Sequence, residues 1–104
     1  MGHIGTIYSN YGNTSASANT WTSGISVSIP AGTYIGIYAS YSTTGRIRAG
    51  NSTSTGDWVS SLEAYDMAEH IRIFNTTSAR EEKCYIFAPT AGTYHNRVFL
   101  IRIK

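Results

Sequence analysis

Residues 23–40, SGISVSIPAGTYIGIYAS, decide the fold class. In the first half, Ile25, Val27 and Ile29 alternate with Gly24, Ser26 and Ser28, the period of two that marks a half-buried strand. Pro30-Ala31-Gly32 breaks the alternation, and it resumes with Ile35 and Ile37 opposed to Tyr34, Gly36 and Tyr38. Two strands joined by a short proline-glycine turn account for the whole stretch. Gly36 in mid-strand predicts a bulge or a close backbone approach.

Outward from this core motif the same grammar recurs. GRIRAG sets Arg46 and Arg48 on one side of Ile47 and reads as a short edge-like strand. EKCYIFAP opposes Cys84, Ile86 and Ala88 to Tyr85 and Phe87. NRVFLIRIK is apolar on both faces until Arg102 and Lys104, which predicts a central strand. Ala-Gly-Thr-Tyr occurs at Ala31–Tyr34 and again at Ala91–Tyr94, and each copy is read as a strand start. SSLEAYDMAEHIRIF is ambiguous. Ser60 and Glu63 have capping-box spacing, whereas His70 to Phe74 alternates with Ile71 and Ile73 together. Loops rich in Ser, Thr, Asn and Gly are expected around 9–22, 40–45, 49–57, 75–81 and 89–95, and Glu81-Glu82-Lys83 as a charged turn. Seven to eight short strands in 104 residues predict an all-β fold: an antiparallel β-sandwich or jelly roll. Residues 1–20 are read as a strand or linker leading from a longer chain, and 21–104 as the sandwich domain.

Composition bounds the function. Charged residues are 13%, about half the roughly 25% usual for soluble domains, while Ser and Thr number 13 each. Residues 1–45 carry no Asp, Glu, Lys or Arg, and all six acids lie between Asp57 and Glu82. Uncharged strand edges invite pairing, so part of this ion-poor half is expected to be covered by sister copies or by the rest of a longer protein. A net charge of +2 does not argue for nucleic acid. No apolar run is long enough to insert in a membrane, and no basic start precedes an apolar stretch, so no secretory signal is expected.

The chemistry-bearing residues form no catalytic signature. His3, His70 and His95 lack metal-ligand spacing, and Cys84 sits at an apolar strand position as a small buried thiol. No Gly-rich phosphate loop or nucleophile motif is present, so neither an enzyme nor a metal or cofactor is expected. The N-x-[ST] triplets at Asn13, Asn51 and Asn75 are accounted for by the abundance of Ser and Thr. Aromatics are the remaining resource. Tyr34, Tyr38, Tyr85, Phe87 and Phe99 fall within strand patterns, whereas Tyr8, Tyr11, Trp21, Tyr41 and Trp58 are read at loop edges. Loop aromatics beside small polar groups suit sugar rings, which stack their apolar faces and hydrogen-bond their hydroxyls. The ligand-binding set expected on this basis is Tyr41, Arg46, Asn51, Asp57 and Trp58. The competing reading is that Trp58 covers one end of the sandwich.

SVSIPAGTYIGIYASYSTTGRIRAG (residues 26–50) resembles the start of the C-terminal head domains of bacteriophage tail fibres. CYIFAPTAGTYHNRVFLIRIK (84–104) resembles their last two strands. Such heads are similar to the trimeric jelly roll of tumour necrosis factor. The resemblance covers residues 20–104 apart from 56–79. It implies a homotrimer at a fibre tip of the virion, binding host surface glycan or a cell-wall polymer, with no catalytic residues. The alternatives are a purely structural trimerisation or capping domain and a monomeric lectin-like module.

Overall fold

The computed structural model describes residues 3–41, 47–51, 58–60 and 67–104. These form eight strands: β1 (Ile7–Ala16), β2 (Trp21–Ile29), β3 (Gly32–Tyr41), β4 (Arg48–Gly50), β5 (Trp58–Ser60), β6 (Met67–Thr76), β7 (Arg80–Phe87) and β8 (Gly92–Arg102). One sheet runs β1-β8-β3-β6 and the other β2-β7-β4-β5, antiparallel throughout. This order is that of the jelly roll, two Greek keys folded into a double sheet. Among the described residues no helix is long and apolar enough to cross a membrane.

The core lies between the sheets. Tyr34, Tyr38, Val98 and Leu100 enter from one side, and Ile29, Ala49, Cys84 and Ile86 from the other, with Ile47 just ahead of β4. The central position of β8 agrees with its two apolar faces, since β1 and β3 flank it. Both Ala-Gly-Thr-Tyr copies open a strand, β3 and β8. Each tyrosine hydroxyl donates to the carbonyl four residues earlier, Tyr34 to Pro30 (2.7 Å) and Tyr94 to Thr90. The two turns are therefore tied down by one device, and the phenol of each ring is satisfied where it enters the core.

Several local expectations are corrected. Residues 9–16 are strand rather than loop, because β1 pairs with β8 from Ile7 to Ala16; Tyr8 and Tyr11 therefore stand in a strand. Position 20/21 falls between two strands of one sandwich, with Ala18 bridging Ala88. Trp21 opens β2 and packs against Phe87 with ring centroids 5.5 Å apart. β4 is not an edge but lies between β7 and β5. The expected bulge falls in β2, between Ser23 and Ser26, and not at Gly36. The described part of the ambiguous segment, from Met67, is strand; residues 61–66 lie outside the described residues.

Glu81-Glu82-Lys83 is not a turn. It lies within β7, where alternation turns Glu82 inward and leaves it 1% exposed. A buried carboxylate needs partners. Glu82 accepts a 2.7 Å hydrogen bond from the Tyr38 hydroxyl across the sheets and pairs with Arg80. Burial, and then the Glu82 carboxylate, push the Tyr38 phenol far above its ordinary value.

A second polar clamp spans the sandwich at Asn96, fully buried in β8. Its Oδ1 accepts from the Ile25 amide (2.8 Å), and its Nδ2 donates to Thr14 Oγ1 (3.0 Å) and the Tyr94 carbonyl (3.2 Å). The β2 bulge directs the Ile25 amide to it. Gly24 lets it close, because a Cβ there would strike Asn96 Oδ1 and lie 2.8 Å from the Cys84 carbonyl oxygen.

Candidate functional site

The β1-β8-β3-β6 sheet has an unusual outer face. In β3 the sequence presents isoleucine and tyrosine on opposite sides, and the tyrosines win the interior: Tyr34 and Tyr38 are fully buried, whereas Ile35 and Ile37 point out. The same parity holds in β8, where Tyr94, Asn96, Val98 and Leu100 face in and His95, Arg97, Phe99 and Ile101 face out. In β6, Ile71 and Ile73 face out and are 57% and 67% exposed. The register assembles these residues into rows across the sheet. Ile7, Ile101, Ile35 and Ile73 make one row, and Ser9, Phe99, Ile37 and Ile71 the next. Tyr11, Arg97, Ala39 and Glu69 make the third. Asn13 and His95 follow, then Tyr41 beside Met67.

Chemistry changes abruptly between the second and third rows. On the far side of that boundary Ala39, Ser40, Tyr41, His95 and Arg97 line a cleft of about 160 Å³. Among its lining residues Ala39 is buried, and its methyl group is too small to fill the space. One wall is fixed by the Ser40 hydroxyl, which donates to the His95 carbonyl at 3.0 Å. The His95 ring lies 5.9 Å from that of Tyr11, tilted by 53°, so Tyr11 extends the aromatic surface beyond the cleft. Tyr11 and Tyr41 are 72% and 43% exposed. Exposed rings beside a histidine and an arginine offer what a pyranose needs, an apolar platform with hydrogen-bonding groups at its margin. The cleft is smaller than the roughly 300 Å³ at which small-molecule pockets begin, so it suits one face of a ring and not an engulfed ligand.

Of the residues expected from sequence, Tyr41 takes part in this cleft at the end of β3. Asn51 follows β4 in the other sheet and is 8% exposed, its Oδ1 buried with no hydrogen-bond partner among the described residues. Trp58 opens β5, its backbone paired with Gly50. Arg46 and Asp57 lie outside the described residues. Tyr41 thus belongs to one sheet and Asn51 and Trp58 to the other. Sequence reasoning missed Tyr11, His95 and Arg97. The alternation of NRVFLIRIK, continued back one residue, puts His95 and Arg97 on the face of Phe99 and Ile101, but only the β1-β8 register adds Tyr11.

Among the described residues no three His, Cys, Asp or Glu side chains gather into a metal-binding group. Cys84 is buried, and desolvation pushes its thiol up to about 12, which leaves the reactive thiolate scarce.

No known family model matches the chain, and no curated protein matches it. Among solved structures, it is similar to a chain from Bacillus endospore appendages, described as a novel family of disulfide-linked pili. That likeness spans 98% of this chain and 93% of the other, with a TM-score of 0.37 and 13% identity. It is weak and extends to the all-β architecture alone.

Proposed function

We propose that this chain is a non-catalytic, self-associating head domain of the phage tail-fibre type that binds host surface saccharide. The observation that carries the binding part is the exposed Tyr11–His95–Tyr41–Arg97 surface around the Ala39 cleft. A single shallow site of this size binds weakly, and joining several copies raises avidity without new contacts. The homotrimer and the virion-tip location come from the sequence resemblance and are part of the same proposal.

Binding is tested by adsorption of the purified domain to bacterial surface polysaccharides and intact cells. Tyr41→Ala and Tyr11→Ala are expected to weaken adsorption by about tenfold each, as the loss of a stacking ring predicts, with the mass of the assembly unchanged. The apolar rows beside the cleft favour a second reading, in which assembly is the whole role. Wild-type protein that assembles but adsorbs to no saccharide surface establishes that reading.

A further inference from the structure

The isoleucine rows are a feature that saccharide recognition does not use. Ile7, Ile71, Ile73 and Ile103 are each more than one-third exposed, and Ile35, Ile37, Phe99 and Ile101 lie half-buried among them. From the row of Ile103 and Thr33 to that of Arg97 and Ala39 the sheet face holds four rows on four strands. At about 3.4 Å per residue and 4.8 Å per strand this is roughly 27 by 19 Å, or about 500 Å². The two isoleucine rows at its centre make an apolar patch of about half that area, and exposed apolar patches of a few hundred Å² mark interaction surfaces. Two such faces packed over β8, β3 and β6 bury about 800 Å², the size of a weak, transient interface.

The charges at the border of the patch identify the occupant. Arg97 and Glu69 stand in the same row with only Ala39 between them, about 9.6 Å apart by strand spacing. Neither makes an ion pair among the described residues. Turning one copy over about a line along β3 lays rows on rows. It sets Arg97 opposite the partner's Glu69, Phe99 opposite the partner's Ile71 and Ile101 opposite the partner's Ile73. This twofold contact is isologous and joins copies in pairs. A membrane surface calls instead for a basic border around the apolar residues, and here the row that bounds them toward the cleft holds one charge of each sign.

We infer that a second copy of this chain covers the isoleucine rows of the β1-β8-β3-β6 sheet, with Arg97 and the partner's Glu69 at its margin. The inference rests on the self-association part of the proposed function and locates it. It leaves Tyr11 and Tyr41 at the seam, beyond the apolar rows, so that each cleft opens beside a neighbour.

The test is the mass of the full chain in solution by light scattering, across concentrations into the high micromolar range. Wild-type protein is expected to assemble. Ile71→Asp with Ile73→Asp is expected to yield a folded single copy whose circular dichroism matches the wild type and whose melting temperature no longer rises with protein concentration, because both side chains are more than half exposed. Arg97→Glu and Glu69→Arg are each expected to weaken assembly about tenfold, and the double swap to restore it to within about threefold. Monomeric wild type overturns the inference. So does an unchanged assembly in the isoleucine double variant, or a double swap no better than either single variant. Saccharide adsorption is read separately: assembly without adsorption removes the binding proposal alone, and adsorption by a monomer removes this inference with the self-association it rests on and leaves the binding part standing.

Discussion

The two faces of the β1-β8-β3-β6 sheet carry similar amounts of apolar surface and treat it in opposite ways. The inner face spends its large residues on Tyr34, Tyr38, Phe74 and Leu100, all buried, with the phenols bonded to Pro30 and Glu82. The outer face holds isoleucine, the residue most often buried in proteins, and leaves Ile73 67% exposed. If hydropathy alone chose the interior, the isoleucines of β3 and β6 would point inward. They do not, because the inner positions are matched to specific partners: Tyr34 packs between Tyr8 and Phe74, and Tyr38 reaches Glu82. The inner face is specified by hydrogen bonding and shape, while the isoleucine rows of the outer face are specified only by being uncharged and apolar. An uncharged apolar face needs a cover, and a matched one does not.

Substitutions that exchange the two treatments sharpen this contrast. The largest expected effect is Leu100→Ala, which removes a fully buried side chain and is expected to lower unfolding free energy by about 2–5 kcal/mol in denaturant titration. Its outward counterpart Ile73→Ala is expected to stay within about 0.5 kcal/mol for an isolated copy. Equal costs for the pair would erase the distinction. Next comes Asn96→Ala, expected to cost about 2–3 kcal/mol, since it leaves the Ile25 amide and the Tyr94 carbonyl short of a partner. Tyr38→Phe keeps the ring but deprives a buried carboxylate of its donor, with an expected cost of about 1–3 kcal/mol by the same measurement.

The alkaline limb of stability gives a smaller and graded effect. Burial raises Cys84 from 9.0 to about 12, and Tyr38 is raised above 10.0. Both groups stay protonated in the fold at pH values where the unfolded chain releases those protons. Their contribution is therefore whole below pH 9 and declines above it, by about 1.4 kcal/mol per pH unit for each group ionised only in the unfolded state. Cys84→Ser is expected to remove the part of the slope that begins at pH 9, and melting curves from pH 8 to 11 would show it.

The strand content was legible because alternation is read directly from sequence: Ile25 to Ile29, Cys84 to Phe87 and Val98 to Arg102 all lie in strands. Which side faces in was not legible for β3, since isoleucine and tyrosine both qualify and the choice depends on Glu82, 44 residues away in the chain. For the same reason Glu82 passed for part of a surface turn. β1 was hidden by composition, because SNYGNTS reads as loop until β8 is placed beside it. The cleft was half legible: Tyr41 stands out locally, but its companions arrive from β8 and β1 through register alone.

Cys84 has a practical consequence beyond its place in the core. As the chain's lone sulfhydryl, shut between the sheets, it will accept an alkylating reagent only while the two layers stand apart. Its modification rate, followed by mass spectrometry, then clocks how often the sandwich breathes. Slower tagging at higher protein concentration would reveal neighbours holding it closed.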